Sequence, residues 1–437
     1  MNEQEIYHQL KQHLTPKINE KNMYGEVFTP INLINAMLDS LEPSVWKNSK
    51  YKWFDPACGI GNFPIVIYYR LRKHGHNSKH IIENMLYMNE LNATNVKECR
   101  RLFKLIDSSA KLNISCKDFL TLSPTSYDII VGNPPYNEAR VKETSDQPLY
   151  SKFIVKALEM TTRLLFIVPS RWFSGGKGLD EFRKSMLSRK DIVSIHHIPN
   201  SKSIWPTVDI KGGVNYFYIN KFATFHKTKF VANGLNSSIE LNKYDILVAD
   251  PNAYAFINAV INKPSIQSLY YSTGHFGINT NDAHLTSVHK NYYVKCYVSA
   301  SKGSVQYIDP KHIKNPYDFW KVITPQGSGK GGDGFGNIII AKPSEVASQT
   351  YFFFKVESKK EAESLKSYLE TETANYLLSL RKIDQHISES TLAWIPMIPL
   401  DRIWTDAKVR AYLHLPAIKK TTIKVKKNYN RSIKKKL

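Results

Sequence analysis

The sequence predicts an α/β protein, with a mostly parallel sheet in its first half and a differently built region after it. Residues 51–220 alternate short apolar stretches with helical patterns, which is typical of a parallel α/β sheet. The apolar stretches are almost uninterrupted, as expected for strands that are buried on both faces. From about residue 225 the sequence becomes irregular and rich in aromatic and turn residues, and 437 residues are more than one ordinary domain requires.

Seven strands are predicted in the first half, and helical patterns separate them. The stretches at 63–74 and 93–106 repeat apolar residues at helical spacing. Ligands of such sheets bind at the carboxyl ends of the strands, so the residues that follow each strand are the candidates for a site. The predicted strands are 51–55, 85–90, 113–118, 127–133, 164–170, 192–198 and 214–220.

Charge is the most informative part of the composition. The chain has 60 Lys and Arg against 38 Asp and Glu, which gives a formal net charge of +22. An excess of this size is expected for a protein with a polyanionic partner, because phosphate contacts release counterions, although solubility alone also accounts for it. No apolar run is long enough to span a bilayer and no signal peptide is recognisable, so we expect a cytoplasmic protein that does not bind membranes.

Cysteine and histidine spacing favours neither disulfides nor a metal site. His196 and His197 lie in an apolar strand and are interpreted as structural, because suitable ligands do not accompany them. We therefore expect reduced thiols and no metal. The four cysteines are scattered without CxxC pairs, at Cys58, Cys99, Cys116 and Cys296.

A glycine-containing loop at 54–63, FDPACGIGNF, ends the first predicted strand and opens a helix. Gly59 and Gly61 allow a tight turn and a close approach of the backbone to a ligand, and the following helix N-terminus offers N–H groups. The neighbouring residues Asp55, Pro56 and Ala57 belong to the same candidate site. A GxG pair by itself is weak evidence for a nucleotide site.

Acidic residues after the next two strands sharpen this prediction. Glu90 ends the second strand, where a carboxylate can accept hydrogen bonds from both hydroxyls of a ribose. Asp118 ends the third strand and is followed by Phe119, a pair suited to an adenine amino group and its ring. A dinucleotide site would need a third glycine, and Pro64 occupies that position. S-adenosylmethionine, which has no pyrophosphate, fits this pattern better.

The tetrapeptide Asn133, Pro134, Pro135 and Tyr136 follows the fourth predicted strand. The two prolines fix φ and supply no N–H, so the local carbonyls are held as acceptors. The Asn133 side-chain oxygen and the Pro134 carbonyl can accept both hydrogens of one amino group, and Tyr136 offers a face for a purine. The predicted chemistry is methyl transfer to that nitrogen, by positioning and electrostatics. A proline-stiffened turn is the structural alternative.

Together these motifs resemble the gamma class of N6-adenine DNA methyltransferases of restriction–modification systems. The segment GEVFTP at 25–30 resembles the motif that precedes the cofactor loop in that family, and the resemblance implies that Thr29 and Pro30 hold the methionine end of the cofactor. It implies a Rossmann-like S-adenosylmethionine methyltransferase fold with a seven-stranded, mostly parallel sheet. It also implies that adenine is flipped out of double-stranded DNA, and that Asn133 contacts both cofactor and base.

The resemblance is strongest over about residues 20–220. A second aromatic residue usually covers the flipped base in this family, and Trp172 and Phe173 are the candidates. Looser similarity continues through Trp394 and Trp404. Further matching stretches are Leu149 and Tyr150 with Phe153, VPSRWF at 168–173, and IWPTVDI at 204–210 leading into Gly212 and Gly213.

The resemblance divides the chain into three parts. The catalytic domain is predicted at 1–225, a C-terminal target recognition domain that binds DNA at 226–418, and a basic tail at 419–437. The Gly-rich segment at 324–337 lacks the spacing of a phosphate-binding loop and is interpreted as a flexible loop near DNA. Few residues precede the first motif, so we expect no fused nuclease and a possible partner in a separate restriction endonuclease.

Two other functions are compatible with parts of the pattern. A methyltransferase with the same tetrapeptide could act on RNA or on a protein glutamine, because an amide suits the same acceptors. The motif at 25–30 and the long C-terminal region favour DNA instead. A DNA-binding protein that kept the fold without activity is the second alternative, and the intact tetrapeptide and strand-end acids argue against it.

Overall fold

The computed structural model describes residues 2–12, 28–137, 148–176, 178–329, 333–382 and 385–416. The chain forms two compact units, Met1–Ala249 and Asp250–Leu437. No helix within the described part of the chain has the length and apolar character needed to cross a membrane. Two predicted segments lie outside the described residues: 25–27, the first half of the segment GEVFTP, and the basic tail at 419–437.

Among the described residues, the first unit contains a nine-stranded sheet with the order β3-β2-β1-β4-β5-β7-β6-β8-β9. Neighbouring strands from β3 through β5 are parallel, and β7 runs antiparallel between β5 and β6. The strands are β1 Trp53–Asp55, β2 Leu86–Asn89, β3 Asn113–Ser115, β4 Tyr127–Gly132, β5 Thr161–Pro169, β6 Ile192–Ile198, β7 Val214–Asn220, β8 Thr228–Ala232 and β9 Leu235–Ile239.

The helices between the strands bury apolar side chains at helical spacing, as in α4 and α5. In α3 all of residues 62–68 are buried, so the first two turns are enclosed on every side, and Leu71 adds to the main core of the unit. The helix α4 begins where the Asn92 side chain accepts a hydrogen bond from the Thr94 N–H. The helices are α1 Glu3–Gln12, α2 Ile31–Leu38, α3 Asn62–Lys73, α4 Ala93–Ile106, α5 Tyr150–Met160 and α6 Asp180–Ser188, with a short helical segment at Ser78–His80 and Ile81–Met85.

All seven predicted strands are present, but the sheet is larger than expected. The strands β8 and β9 form an antiparallel hairpin, and β8 joins the sheet next to β6. Asn233 and Gly234 connect them with φ values of 51° and 76°, which suits the tight turn of a hairpin. The predicted domain boundary at residue 225 is therefore wrong: the first unit continues to Ala249, because this hairpin completes its sheet.

The second unit is more regular than its sequence suggested. Its described residues contain a four-stranded sheet in the order β10-β16-β13-β14 and a three-stranded sheet in the order β12-β11-β15. The strands are β10 Tyr270–Tyr271, β11 Val294–Ser299, β12 Ser304–Ile308, β13 Trp320–Pro325, β14 Ile339–Ala341, β15 Glu345–Ala347 and β16 Tyr351–Val356. The helices are α7 Ala253–Val260, α8 Lys359–Leu369, α9 Glu372–Arg381 and α10 Asp406–Leu413.

Two features that the sequence left uncertain are fixed by side-chain contacts. The buried Lys382 ammonium donates hydrogen bonds to the carbonyls of Ser328 (2.6 Å) and Asp333 (3.2 Å), so the described ends of the Gly-rich segment are held in place. The His196 ring stacks on Tyr216 at 4.4 Å, and His197 contacts the Gly212 carbonyl at 3.1 Å. Both histidines therefore have structural contacts, as predicted.

Candidate functional site

A cavity of about 360 Å³ lies at the carboxyl ends of β1, β2 and β4. It falls within the size range of small-molecule sites. Of the residues predicted to bind the cofactor or the amino group, Pro30 and Gly61 lie outside its described lining. The lining residues are Phe28, Thr29, Asp55, Pro56, Ala57, Cys58, Gly59, Asn62, Phe63, Asn89, Glu90, Leu91, Lys117, Asp118, Phe119, Leu120, Asn133, Pro134, Pro135, Tyr136, Asn137, Leu149 and Phe153.

The loop between β1 and α3 has the shape that its glycines predicted. Gly59 and Gly61 have φ values of 55° and 100°, in the region that favours glycine. Gly61 caps α3, and a Cβ on it would lie 3.0 Å from the Cys99 sulfur. At Gly61 the loop backbone therefore packs closely against the core of the unit.

Glu90 follows β2 directly and fixes this loop. Its Oε2 atom accepts a hydrogen bond from the Gly59 N–H at 2.8 Å, and its Oε1 atom accepts one from the Asn92 N–H at 2.8 Å. Each carboxylate oxygen has more than one lone pair, so a ligand hydroxyl can be accepted in addition. Glu90 thus joins the glycine loop to the start of α4 while it lines the cavity.

Asp55 lies at the end of β1 and is fully buried. It accepts a hydrogen bond from the Ala57 N–H at 3.1 Å. Burial raises the pKa of its carboxyl well above the usual range, and the nearby Glu90 adds to the increase. A Cβ on Gly132 would lie 2.8 Å from Asp55 Oδ1, so the end of β4 accommodates only glycine next to this carboxyl.

The prediction that Asp118 ends β3 is wrong, because this residue lies three positions beyond the end of the strand. The strand ends at Ser115, and the Asp118 side chain accepts a hydrogen bond from the Leu120 N–H at 2.9 Å at the start of a 3-10 turn. An aspartate is favoured there because its side chain satisfies a turn N–H. Phe119 follows and is buried, so the pair still reaches the cavity.

Lys156 on α5 stabilises the 3-10 turn that follows Asp118. The Lys156 ammonium donates hydrogen bonds to the carbonyls of Leu120 and Leu122, each at 2.6 Å, and lies 5.6 Å from the centre of the Phe119 ring. The Phe119 ring also contacts Phe153 at 4.9 Å. The apolar wall of the cavity is thus fixed on two sides.

Asn133, Pro134, Pro135 and Tyr136 follow β4 and lie at the same cavity. Tyr136 is buried, and burial raises the pKa of its hydroxyl far above the usual range. The Tyr136 carbonyl accepts a hydrogen bond from the Leu149 N–H at 3.0 Å. This contact fixes the end of the tetrapeptide against the start of α5.

The segment before α2 lies against the tetrapeptide. The Thr29 hydroxyl accepts a hydrogen bond from Asn133 Nδ2 at 3.1 Å, and Thr29 is 2% exposed. Its carbonyl accepts one from Asn62 Nδ2 at 3.1 Å. The Trp205 indole N–H donates to the Phe28 carbonyl at 2.8 Å, so three contacts hold the segment. Pro30 caps α2 and stiffens the entry to that helix.

Comparison with known proteins gives a family match over the same part of the chain. Residues 16–205 match the family described as Eco57I restriction-modification methylase. An uncharacterized adenine-specific methylase of Mycoplasma pneumoniae is 24% identical over 314 residues, which are 51% of this chain and 74% of that protein.

These matches make residues 16–205 similar to the adenine-specific methylases of restriction–modification systems.

Two solved structures share the fold of the methyltransferase. A nuclease-deletion mutant of the Type ISP restriction-modification enzyme LlaGI, in complex with a DNA substrate mimic, matches 83% of this chain with a TM-score of 0.55 and 13% identity. A DrdV–DNA complex matches 90% with a TM-score of 0.52 and 12% identity. The chain spans 45% and 58% of those two chains, about half of their length. The predicted α/β methyltransferase fold is confirmed at this level.

The candidates for the second aromatic residue are not in the cavity of the methyltransferase. Trp172 is fully buried, and Phe173 is 3% exposed. Trp172 packs edge-on against Phe173 at 4.9 Å, and Phe173 contacts the His197 ring at 5.3 Å. In this structure both rings are part of the core, and neither belongs to the cavity lining.

Three of the residues that shape the cavity were not among the predicted site residues. Asn62 and Asn89 use their amides to hold loop carbonyls, and Gly132 makes room for Asp55. Asn89 Nδ2 donates to the Pro56 carbonyl at 3.1 Å, which ties the end of β2 to the glycine loop. A polar residue directly beside a motif, or a glycine that ends a buried strand, is the only sequence signal for such roles.

Proposed function

We propose that the chain transfers a methyl group from S-adenosylmethionine to N6 of adenine in double-stranded DNA, at a specific sequence. The observation that carries this proposal is the shared cavity: the tetrapeptide Asn133–Tyr136 faces the same space as Glu90 and the glycine loop. Acceptors for an amino group and a nucleoside-binding wall thus lie within one site. The matches do not favour RNA or a protein glutamine as the substrate.

The residues around the cavity suit S-adenosylmethionine. Gly59 leaves space that a Cβ would fill, Glu90 presents its carboxylate to ribose hydroxyls, and Phe119 provides an apolar wall for an adenine ring. Asp118 lies beside that wall as an acceptor for an amino group. Thr29 and Asp55 complete the pocket toward Asn133. When bound, the cofactor supplies a methyl group on a positively charged sulfur.

The protein's part in the reaction is to bind and orient the adenine amino group. Asn133 Nδ2 donates to Thr29 Oγ1, so the side-chain oxygen is directed away from Thr29. That oxygen and the Pro134 carbonyl then accept the two amino hydrogens, which leaves the nitrogen lone pair available for attack. With the cofactor bound, the nitrogen lone pair would form a bond to the methyl carbon while the carbon–sulfur bond breaks and leaves its electron pair on sulfur. The methylated nitrogen would then release one proton to solvent, and its remaining hydrogen would stay on one of the two acceptors.

Burial makes these acceptors effective. Pro134 and Tyr136 are buried, and Phe153 beside them is 5% exposed, so little water competes for the amino group. The Tyr136 ring is available for stacking once a base has entered the site. Flipping of the adenine out of the duplex follows from this geometry, because a paired base cannot bring its amino group to a buried acceptor.

We propose that the second unit, Asp250–Leu437, is the target recognition domain. The high net charge of +22 supports an extended contact with DNA phosphates. We further propose that the protein acts on DNA in the cytoplasm and protects the recognition sequence of a separate restriction endonuclease.

The test is methylation of DNA by the purified protein. We would incubate it with unmethylated plasmid DNA and labelled S-adenosylmethionine, and then map the modified adenines by long-read sequencing. Structured RNA and a glutamine-containing peptide serve as alternative substrates. We expect N6-methyladenine at one sequence motif in DNA; label that appears only in RNA or peptide contradicts the proposal.

Asn133→Ala tests whether the side-chain oxygen of Asn133 is the acceptor of the amino group. It removes the side-chain acceptor and leaves Glu90, Phe119 and the glycine loop intact. We expect methyl transfer to fall by at least about a hundredfold, the scale of a lost acceptor in a preorganised site, while calorimetry shows nearly unchanged cofactor affinity. Activity close to that of the wild type would place the reaction elsewhere.

A further inference from the structure

The second unit contains a stretch without acidic residues that is built as a hairpin. The 26 residues from Ala283 to Ile308 contain no Asp or Glu. Within them β11 and β12 pair antiparallel, with Lys295 opposite Tyr307 and Tyr297 opposite Val305. The other face of the hairpin is buried in the core of the unit, through Val294, Cys296, Val298 and Ile308.

The loop that precedes this hairpin, residues 286–293, is held against it. Thr286 and Tyr307 exchange two backbone hydrogen bonds of 2.9 and 2.8 Å. The His289 ring contacts the Tyr307 ring at 4.7 Å. Since β12 is an edge strand, these contacts hold the loop at the end of β12 on the edge of the three-stranded sheet. Its side chains are therefore presented from a backbone that is fixed.

Apolar side chains on this surface are unusually exposed. Val288 is 59% exposed, Tyr292 is 61% exposed, and Val305 on β12 is 39% exposed. These are three of the ten large hydrophobic side chains that are exposed among the described residues, and they lie within 18 positions of each other. Grouped exposure of this kind marks an interaction surface, whereas single exposed residues do not.

The charges around the 286–293 loop leave an excess of positive charge. Two neighbouring acids have lysine partners: Asp309 with Lys311 at 3.4 Å and Glu345 with Lys295 at 3.2 Å. Asp282 contacts the His284 ring at 2.9 Å. Lys290 is exposed, and none of these ion pairs involves its ammonium. The Lys290 ammonium lies 5.0 Å from the centre of the Tyr293 ring, which keeps it close to the aromatic surface.

We propose that the 286–293 loop forms a surface through which the second unit contacts duplex DNA. Lys290 pairs with a backbone phosphate, and the Tyr292 ring packs against the sugar or an unstacked base. Lysine is depleted in contacts between proteins, and a lysine–tyrosine surface without acids suits a polyanion better than a protein partner. This inference rests on the proposed function and identifies where the DNA is held.

The experiment compares Lys290→Ala and Tyr292→Ala with two matched controls, Lys408→Ala and Tyr412→Ala. The control side chains are exposed on α10 of the same unit. The full-length protein is titrated against a labelled 30-base-pair duplex at several salt concentrations, and affinity is followed by fluorescence anisotropy. Calorimetry with S-adenosylmethionine and thermal melts show whether each variant is folded.

We expect Lys290→Ala to weaken DNA binding equally for all sequences and to lower the slope of log affinity against log salt by about one, as for one lost phosphate contact. Tyr292→Ala should bind about fivefold or more weakly. The controls should bind like the wild type. Cofactor affinity should be unchanged in all four variants, because none of these residues lines the cavity.

Three results would overturn the proposal. Loop variants could bind DNA like the wild type, the controls could lose as much affinity as the loop variants, or the loop variants could alter sedimentation while DNA affinity stays constant. The last result would identify the surface as an interface between copies of the chain. Failure of the proposed function is distinguishable, because the wild-type protein would then not methylate DNA at all.

Discussion

Replacing Thr29 with valine removes the hydroxyl that accepts a hydrogen bond from Asn133 Nδ2 at 3.1 Å. Valine has nearly the same shape, so packing at this buried position is kept. The Asn133 amide then loses the contact that holds its nitrogen toward Thr29 and its oxygen toward the position of the adenine amino group. We expect the effect to fall on methyl transfer, because a rotated amide would present N–H groups to an amino group instead of an acceptor.

The magnitude follows from the cost of losing one buried contact. A polar group deprived of its partner costs about 1–3 kcal/mol, and each 1.4 kcal/mol is a factor of ten. The rate of methyl transfer should therefore fall roughly 5- to 150-fold. Thr29→Ser keeps the hydroxyl and loses only a methyl group, so it should retain most of the activity.

Single-turnover methylation of a short duplex measures this rate, and calorimetry measures the affinity for S-adenosylmethionine. We expect Thr29→Val to slow the reaction while cofactor affinity changes little. If Thr29→Val and Thr29→Ser were equally slow, the hydroxyl would not be the important group. If Thr29→Val lost cofactor affinity and kept its rate with saturating cofactor, Thr29 would act on the cofactor and not on Asn133.

Two further predictions concern stability. Gly132→Ala should lower the free energy of unfolding by about 2–6 kcal/mol, because its Cβ would lie 2.8 Å from Asp55 Oδ1 at a φ of 154°. A denaturant titration measures this loss. The control is Gly75→Ala, which has a positive φ but open space around it, so it should lower the free energy of unfolding by less. Burial lowers the pKa of Lys321 to about 7, so the unfolded chain binds this proton more strongly between pH 7 and the usual lysine pKa. The stability of the wild type relative to Lys321→Met should rise across that interval in urea titrations, and a constant difference would contradict the shifted pKa.

The core of the first unit was predictable because its signals are local. The apolar run Ile129–Val131 in the fourth strand is typical of burial on both faces, and Pro134 and Pro135 prevent the strand from continuing far beyond Gly132. Parallel strands place their carboxyl ends at one edge, so Asp55, Glu90 and Asn133 were expected to lie together before any distance was known. The site therefore follows from order along the chain.

Other features depend on residues that are distant in the sequence. The contact of Thr29 with Asn133 spans 104 positions, and the support of Phe28 by Trp205 spans 177. No local pattern encodes such pairs, because each side chain is only a plausible polar or aromatic residue until the fold brings its partner near. The same holds for Gly132, whose need to be glycine comes entirely from Asp55 on the neighbouring strand.

The second unit shows the limit most clearly. Its sheet pairs β13 with β16, and β10 with β16, across long intervening segments. Strand pairing there is decided by packing between remote segments, so the sequence indicated only an irregular, aromatic region. By itself the sequence predicted the reaction chemistry and most of the motif residues that meet at the cavity. Tertiary structure decided the domain boundary at Ala249 and the exposed 286–293 loop, because both depend on which strand edges are covered.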